Sequence, residues 1–407
     1  MRIATSTIYS TNLATMAKQE STLVDLQNKI GSGKRVLTAS DDPEGAAEIA
    51  RLTSAQTQLA QYSTNLSTAA TTLGQEDSTF SSLTTLVQQA QTLVVSAGNP
   101  SLDDSTRATL ATQIDSVRDQ ILALANSTDA TGGYLFGGTD TGSTPFASNA
   151  DGSATYQGSG SSRSVQVSSG RAITVGEVGS AVFQGVQPSA AAVASAGTTN
   201  TGSVTYGAVS VTDASDAAAG HAFTLSFAKD GDATTYTVHD ETTGQDVAPV
   251  GRSYTSGSAV TFGGLSVTLS GTPEAGDTVS VGPAAQAGAD IFSTLTAAAT
   301  ALRDGTRGSA GNAAFTNTMT TVGVKLSNAL DNVLTVQAAV GAREQEVTAL
   351  QSQNAASTLQ VATRLSDVSS SDIATAYGQL VQTQTTLEAA QKTFIQVQSL
   401  SLFDLIK

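Results

Sequence analysis

Few residues in this chain could carry catalytic or metal-binding chemistry. There are two histidines, His221 and His239, and no cysteine. Two imidazoles and a carboxylate could hold zinc, but no third imidazole and no HExxH run accompany them. Strand histidines, at the surface or half-buried, account for both more simply. A Ser-His-Asp triad is compatible with the composition, yet the GxSxG elbow that exposes such a serine is missing. Phosphate-cradling glycine loops of the GxGxxG or Walker type are missing too. Asp230 and Asp232 flank Gly231 in a pattern that could suggest calcium, but without the rest of an EF-hand loop it reads as a hairpin turn. Asp41 and Asp42 precede Pro43, which makes them a turn and a helix cap rather than an acid pair for catalysis. The absence of cysteine excludes disulfides, thiolate metal sites and thiol nucleophiles together. No cofactor, metal or catalytic residue is therefore expected, and the chain reads as a building block.

The residues with the clearest pattern are apolar. Tyr9, Met16, Leu23 and Ile30 fall seven apart near one end, and Ile373, Leu380, Leu387 and Phe394 do so near the other. A seven-residue apolar repeat keeps one seam of a helix against another helix. The two ends therefore pair, or both join one assembly. Each stripe is short and set among Ser, Thr and Gln, and a lone helix of this kind is marginal in water. Ordering on assembly is expected of both.

Proline and glycine divide the rest. Of 37 glycines, 25 lie between Gly132 and Gly282, and no proline follows Pro283. Helical flanks around a β-rich middle follow from that distribution. The first helix spans about residues 5–30 and stops at Gly31 to Gly33. Asp42 caps the next, with Pro43 in its first turn. That helix carries Leu52, Leu59, Leu66, Leu73, Phe80, Val87 and Val94 in one heptad ladder, a rod of about 80 Å at ~1.5 Å per residue. A shorter helix is marked by Leu110, Ile114, Val117, Ile121 and Leu124. On the far side, Ile291, Leu295, Ala298 and Leu302 mark one helix. Met319, Leu326, Val333, Val340, Val347, Asn354, Val361 and Val368 mark a long one, with Asn354 placed to fix register. Its phase breaks at Ser369 to Ser371. Between the flanks, alternation predicts strands at 164–168, 172–175, 203–211, 222–228, 234–239, 259–262, 265–269 and 278–281. Residues 187–202, rich in Ala, Ser and Thr, read as a linker between two modules.

The fold class is thus α+β and multidomain, with terminal helices paired as a coiled-coil rod around a mainly β insertion. The expected division is a terminal coiled-coil domain (1–35 with 371–407), a long-helix rod (36–131 with 286–370) and an insertion (132–285) split near 187–202. Net charge is −15 from 19 basic and 34 acidic residues, which argues against nucleic acid and against anionic membrane surfaces. No stretch approaches a membrane span, and the first residues lack the apolar core of a Sec signal peptide.

NKIGSGKRVLTASDDPEGAAEI (28–49) and QTTLEAAQKTFIQVQSLSLFDLIK (384–407) resemble the two terminal signatures of the flagellin superfamily. Pro43, and the ending through Leu402 and Phe403, resemble its hook-associated branch, the family of hook-associated protein 3 at the second hook–filament junction. GGYLFGGTDTGSTPF (132–146) is similar to that family's helix-to-sheet crossing. GLSVTLSGTPEAGDTVSV (264–281) resembles a module of hook-associated insertions. The resemblance implies an extracellular adaptor exported by the flagellar type III route with a cytoplasmic chaperone. Its neighbours would be the first hook–filament junction protein, flagellin, and copies of itself in a closed ring of about eleven subunits. Tyr9, Met16, Leu23, Ile30, Ile373, Leu380, Leu387, Phe394, Leu402 and Phe403 are the expected assembly contacts, acting by burial. The alternatives are a flagellin filament subunit and, from another class, a mount for an enzymatic or ligand-binding insertion.

Overall fold

The computed structural model describes residues 5–129, 131–231, 233–304 and 308–404; of residues 5, 6, 8 and 397–404 it describes the backbone alone. In chain order come α1 (Thr5–Ser32), α2 (Pro43–Ala97) and α3 (Asp104–Ala125). The strands β1 (Phe146–Ser148), β2 (Ala154–Tyr156), β3 (Arg163–Ser168) and β4 (Arg171–Val175) follow, then a short α4 (Gly179–Phe183). A second run holds β5 (Val193–Ala196), β6 (Thr205–Tyr206), β7 (Ser210–Val211), β8 (Phe223–Asp230), β9 (Ala233–Asp240), β10 (Gln245–Asp246), β11 (Arg252–Ser253), β12 (Ser258–Phe262), β13 (Leu265–Ser270) and β14 (Thr278–Gly282). The chain closes with α5 (Ala284–Ala287), α6 (Ile291–Asp304), α7 (Gly308–Ser369) and α8 (Ile373–Asp404). The α+β class holds, with helices at both ends and β structure between them.

Two compact units form, one from residues 1–64 and 350–407, the other from residues 65–349. Their limits fall inside α2 and α7, whereas the helix breaks fall at residues 33–42 and 370–372, where the sequence places its domain ends.

In the first unit, α1 packs along α8. The first turn of α2 is capped by Asp42, whose Oδ1 accepts from the Gly45 amide at 2.8 Å. Leu52 is buried, and Asn354 of α7 donates to the Leu59 carbonyl at 3.1 Å, so the polar residue on that seam grips backbone.

In the second unit the heptad ladders are spent as core: Leu66, Leu73, Phe80 and Val87 of α2, and Leu326, Val333, Val340 and Val347 of α7, are at most 1% exposed. α3 packs against α6. An aromatic cluster joins four elements and a loop: Phe80 of α2 meets Phe136, Phe136 meets Phe183 at 5.2 Å, and Phe146, Phe183 and Phe292 lie 5.4–6.0 Å from one another. The GGYLFGG motif delivers Phe136 there through a tight turn. A Cβ at Gly137 would meet the Asp140 carbonyl oxygen at 2.0 Å, and Gly138 has φ +67°, so both positions need glycine.

β1–β2 and β3–β4 are separate hairpins. The remaining strands make two facing sheets, β10-β9-β8-β14-β5 with β11 also on β9, and β12-β13-β6 with β7 also on β13. Leu225, Val238, Val279 and Val281 of one sheet and Val260, Leu265, Val267 and Leu269 of the other form a shared core, in which Phe223 meets Phe262 at 5.0 Å. Asp230 pairs with Ala233 across a two-residue hairpin with Gly231 at φ +61°, as a turn requires. Asp232 lies outside the described residues.

Two departures from the expected strands have physical causes. Residues 203–211 form two short strands because Tyr206 pairs with Leu269 and Ser210 with Ser266, four steps against three. The extra residue bulges the strand. Residues 187–202 are no plain linker: β5 pairs with β14, and three α7 side chains hold its flanks. Asn328 bonds both backbone groups of Ala191 at 2.8 and 3.0 Å, Thr321 donates to the Ala194 carbonyl at 2.7 Å, and Asn317 takes the Tyr206 amide and the Val204 carbonyl.

Candidate assembly surface

The expected contact residues lie on the α1–α8 pair. Met16, Leu23 and Ile30 on α1, and Leu380, Leu387 and Phe394 on α8, are half-buried. The Tyr9 ring meets the Phe394 ring at 5.0 Å, which sets the two helices antiparallel with their far ends together. Tyr9 is nevertheless 49% exposed, and Ile373, the first residue of α8, is 54% exposed. Leu402 and Phe403 fall in the last turn of α8, and their side chains lie outside the described residues.

The seam has a second row that the seven-residue stripe did not name. Leu26 and Ala376 are the most buried side chains of the pair, at 8% and 6% exposure. Asn12 and Gln19 on α1, with Thr383 and Ala390 on α8, are half-buried in step with them. Each sits three residues beyond a stripe position, the offset of the second coiled-coil row. The Gln19 side-chain oxygen is covered without a hydrogen-bond partner.

A different set faces outward. Leu13 and Val24 on α1, and Tyr377, Val381 and Ile395 on α8, are 44–63% exposed. Ile373, Tyr377 and Val381 are spaced by four, so they share one face of α8. That spacing was the sequence signal for them.

The pair is anchored at the two helix breaks. Lys34 and Ser370 form an antiparallel bridge. The Arg35 amide donates to the Ser369 carbonyl at 2.7 Å, and the Ser371 amide donates to the Gly33 carbonyl at 2.9 Å. The Arg35 guanidinium donates to the Val368 carbonyl at 3.0 Å through Nε and to Asp42 Oδ2 at 3.0 Å through Nη1. Asp41 accepts from the Leu37 and Thr38 amides. The hydrogen bond from Thr38 holds the Asp41 carboxyl below its ordinary range. The Gly45 amide, followed by Arg35, does the same for Asp42. Thr375 lowers Asp372 at the start of α8.

The two histidines sit in the β sandwich, each against an aspartate: His221 Nδ1 lies 2.8 Å from Asp240, and His239 Nδ1 lies 2.8 Å from Asp246. Among the described residues no three His, Asp or Glu side chains gather as a metal site, and no helix is long and apolar enough to cross a membrane.

Paired terminal helices, with a β sandwich inserted between them in the sequence, resemble the flagellin-like proteins. Residues 3–141 match the family described as the bacterial flagellin N-terminal helical region. The chain is similar to flagellar hook-associated protein 3 of Salmonella typhimurium, 37% identical over 190 residues, or 47% of this chain and 59% of that protein. The Escherichia coli hook-associated protein 3 is 35% identical over 192 residues, 47% of this chain and 60% of the relative. The chain thus spans about three fifths of the length of these relatives. A Listeria monocytogenes flagellin is 27% identical over 129 residues, 32% of this chain and 45% of that protein. Among solved structures, FlgL of Xanthomonas campestris superposes with a TM-score of 0.67 at 26% identity, covering 78% of this chain and 99% of that one. Hook-associated protein 3 of Legionella pneumophila gives 0.71 at 25% identity, covering 79% and 98%.

Proposed function

We propose that this chain is a structural adaptor of the bacterial flagellum that joins hook-associated proteins to the flagellin filament. It assembles as a ring after type III export, and it is not an enzyme. The observation that carries the reading is the similarity to hook-associated protein 3, which is higher and longer than the similarity to flagellin, 37% over 190 residues against 27% over 129. Its partners would be further copies of itself, about eleven to a closed ring by resemblance, the first hook–filament junction protein, flagellin and an export chaperone. Residues 1–35 and 371–407 serve as the assembly domain. Burial of apolar surface supplies the affinity, at about 25 cal/mol per Å².

The ten expected contact residues divide the work. Met16, Leu23, Ile30, Leu380, Leu387 and Phe394 hold α1 to α8. Tyr9 and Ile373, with Leu13, Val24, Tyr377, Val381 and Ile395, offer the surface to neighbouring subunits. Leu402 and Phe403 are assembly contacts by resemblance.

Deletion of the gene in its host tests the role. Bare hooks, with monomeric flagellin shed into the medium, are expected. Hooks without filaments and without shed flagellin would make this chain the filament subunit instead. Normal motile filaments would overturn both.

A further inference from the structure

One acidic side chain in the second unit is placed where a carboxylate is costly. Glu76, on the core face of α2, is 0% exposed. Its Oε1 accepts from the Glu177 backbone amide at 2.9 Å, while its Oε2 has no hydrogen-bond partner. The groups around it come from several elements. Glu177, in the loop between β4 and α4, is itself paired with Arg343 of α7. Arg163 opens β3, and its Nε is also buried and unpartnered. Gly176, at φ +82°, lets this loop close over Arg163. A Cβ there would sit 3.1 Å from Arg163 Nε and 3.4 Å from the Leu135 carbonyl oxygen. Asp129, which draws on the same Arg163 charge, hydrogen-bonds Thr131 and Gly133. Further along the helices, Asp77 on α2 and Glu344 on α7 face one another electrostatically. The β4–α4 loop, β3 and α7 thus converge on one buried carboxyl with a single direct hydrogen bond.

We propose that Glu76 is a proton-operated joint: carrying a proton, it seats the 176–178 loop and the root of the β insertion on the long helices, and losing it, the carboxylate loosens that seat. The cause is desolvation. A buried anion with one N–H partner is poorly compensated, and a neutral carboxyl carries no such cost. Burial pushes the Glu76 carboxyl from 4.5 up to about 7; the Glu177 charge adds to the rise, and the Glu177 amide, Arg343 and Arg163 oppose it. Because the folded value lies above the unfolded one, the contribution to holding the joint is full below about pH 4.5. It is lost progressively as the pH rises to about 7, and is flat above that.

Amide hydrogen exchange of the full-length protein reads this directly. The Glu177 amide reports the joint, because its acceptor is Glu76. After correction for intrinsic exchange, its opening constant in the wild type is expected to rise at least about tenfold between about pH 5 and pH 7. In Glu76→Gln, which keeps the acceptor oxygen and cannot ionise, the constant stays level. Equal pH dependence in the two proteins would overturn the proposal. Should Glu76→Gln not fold, the carboxyl of Glu76 can be titrated by carbon-13 NMR in the wild type. A midpoint near neutrality supports the joint, and one in the ordinary glutamate range overturns it.

Discussion

Asp42 and Asn332 show how single polar residues hold this molecule's backbone in place. Asp42 caps α2 through Oδ1 and receives Arg35 through Oδ2. Asp42→Asn keeps the acceptor and loses only an exposed ion pair, which contributes little. Asp42→Ala loses the cap as well. The alanine variant should therefore show the lower urea midpoint of the two, followed by far-ultraviolet circular dichroism. Asn332 is 3% exposed. Its amide donates to the Ala181 and Val182 carbonyls and accepts from Gln187. Removing it orphans buried backbone, so Asn332→Ala should cost about 1–3 kcal/mol in equilibrium unfolding. Acid acts at this scale too. Asp41, Asp42 and Asp372 all titrate below the ordinary carboxylate value of 3.8. Their contribution is present above about pH 4 and is lost as the pH falls through their lowered values. Exchange at the Gly45, Thr38 and Thr375 amides should speed up below that point, relative to amides in the middle of α2.

At the scale of elements, the helices were the most legible part of the sequence. Seven-residue ladders placed α1, α2, α7 and α8, spacings of three and four placed α3 and α6, and Pro43 and the serines at 369–371 marked helix ends within a residue or two, because helix period and capping are local properties. The stripe residues were legible as a seam. Their division into an inner row and an outer row was not, since a single stripe cannot say which helix will cover it. β5 was hidden because residues 187–202 have no polar–apolar alternation. Their conformation is decided by β14 and by Asn317, Thr321 and Asn328, which are more than seventy residues away in sequence. β1 and β2 are three residues each, too short to display a period of two. The inner and outer rows give an element-scale test. Leu387→Asp should unpair α1 from α8, which lowers helicity and abolishes incorporation into flagella. Val381→Asp should leave helicity unchanged and still abolish incorporation. Normal filaments from both variants would remove the terminal helices from the assembly surface.

For the whole molecule, the second unit depends on one aromatic cluster that ties α2 to α4, α6 and β1. Phe80→Ala should cost about 3–5 kcal/mol, read as a lower denaturation midpoint for residues 65–349. The purified chain alone should stay short of long filaments in light scattering, where a filament subunit would grow them. The clasp pairs Lys34 with Ser370, and the Arg35 side chain reaches the Val368 carbonyl 333 residues along the chain, so everything between is a loop tied off at its neck. The entropy of closing a loop grows only with the logarithm of its length, and doubling it costs about 0.6 kcal/mol. Descendants of this chain could therefore shed, enlarge or exchange the sandwich at little thermodynamic penalty to the ends. The middle is free to drift with the surroundings of the cell while the knot that fastens it stays the same.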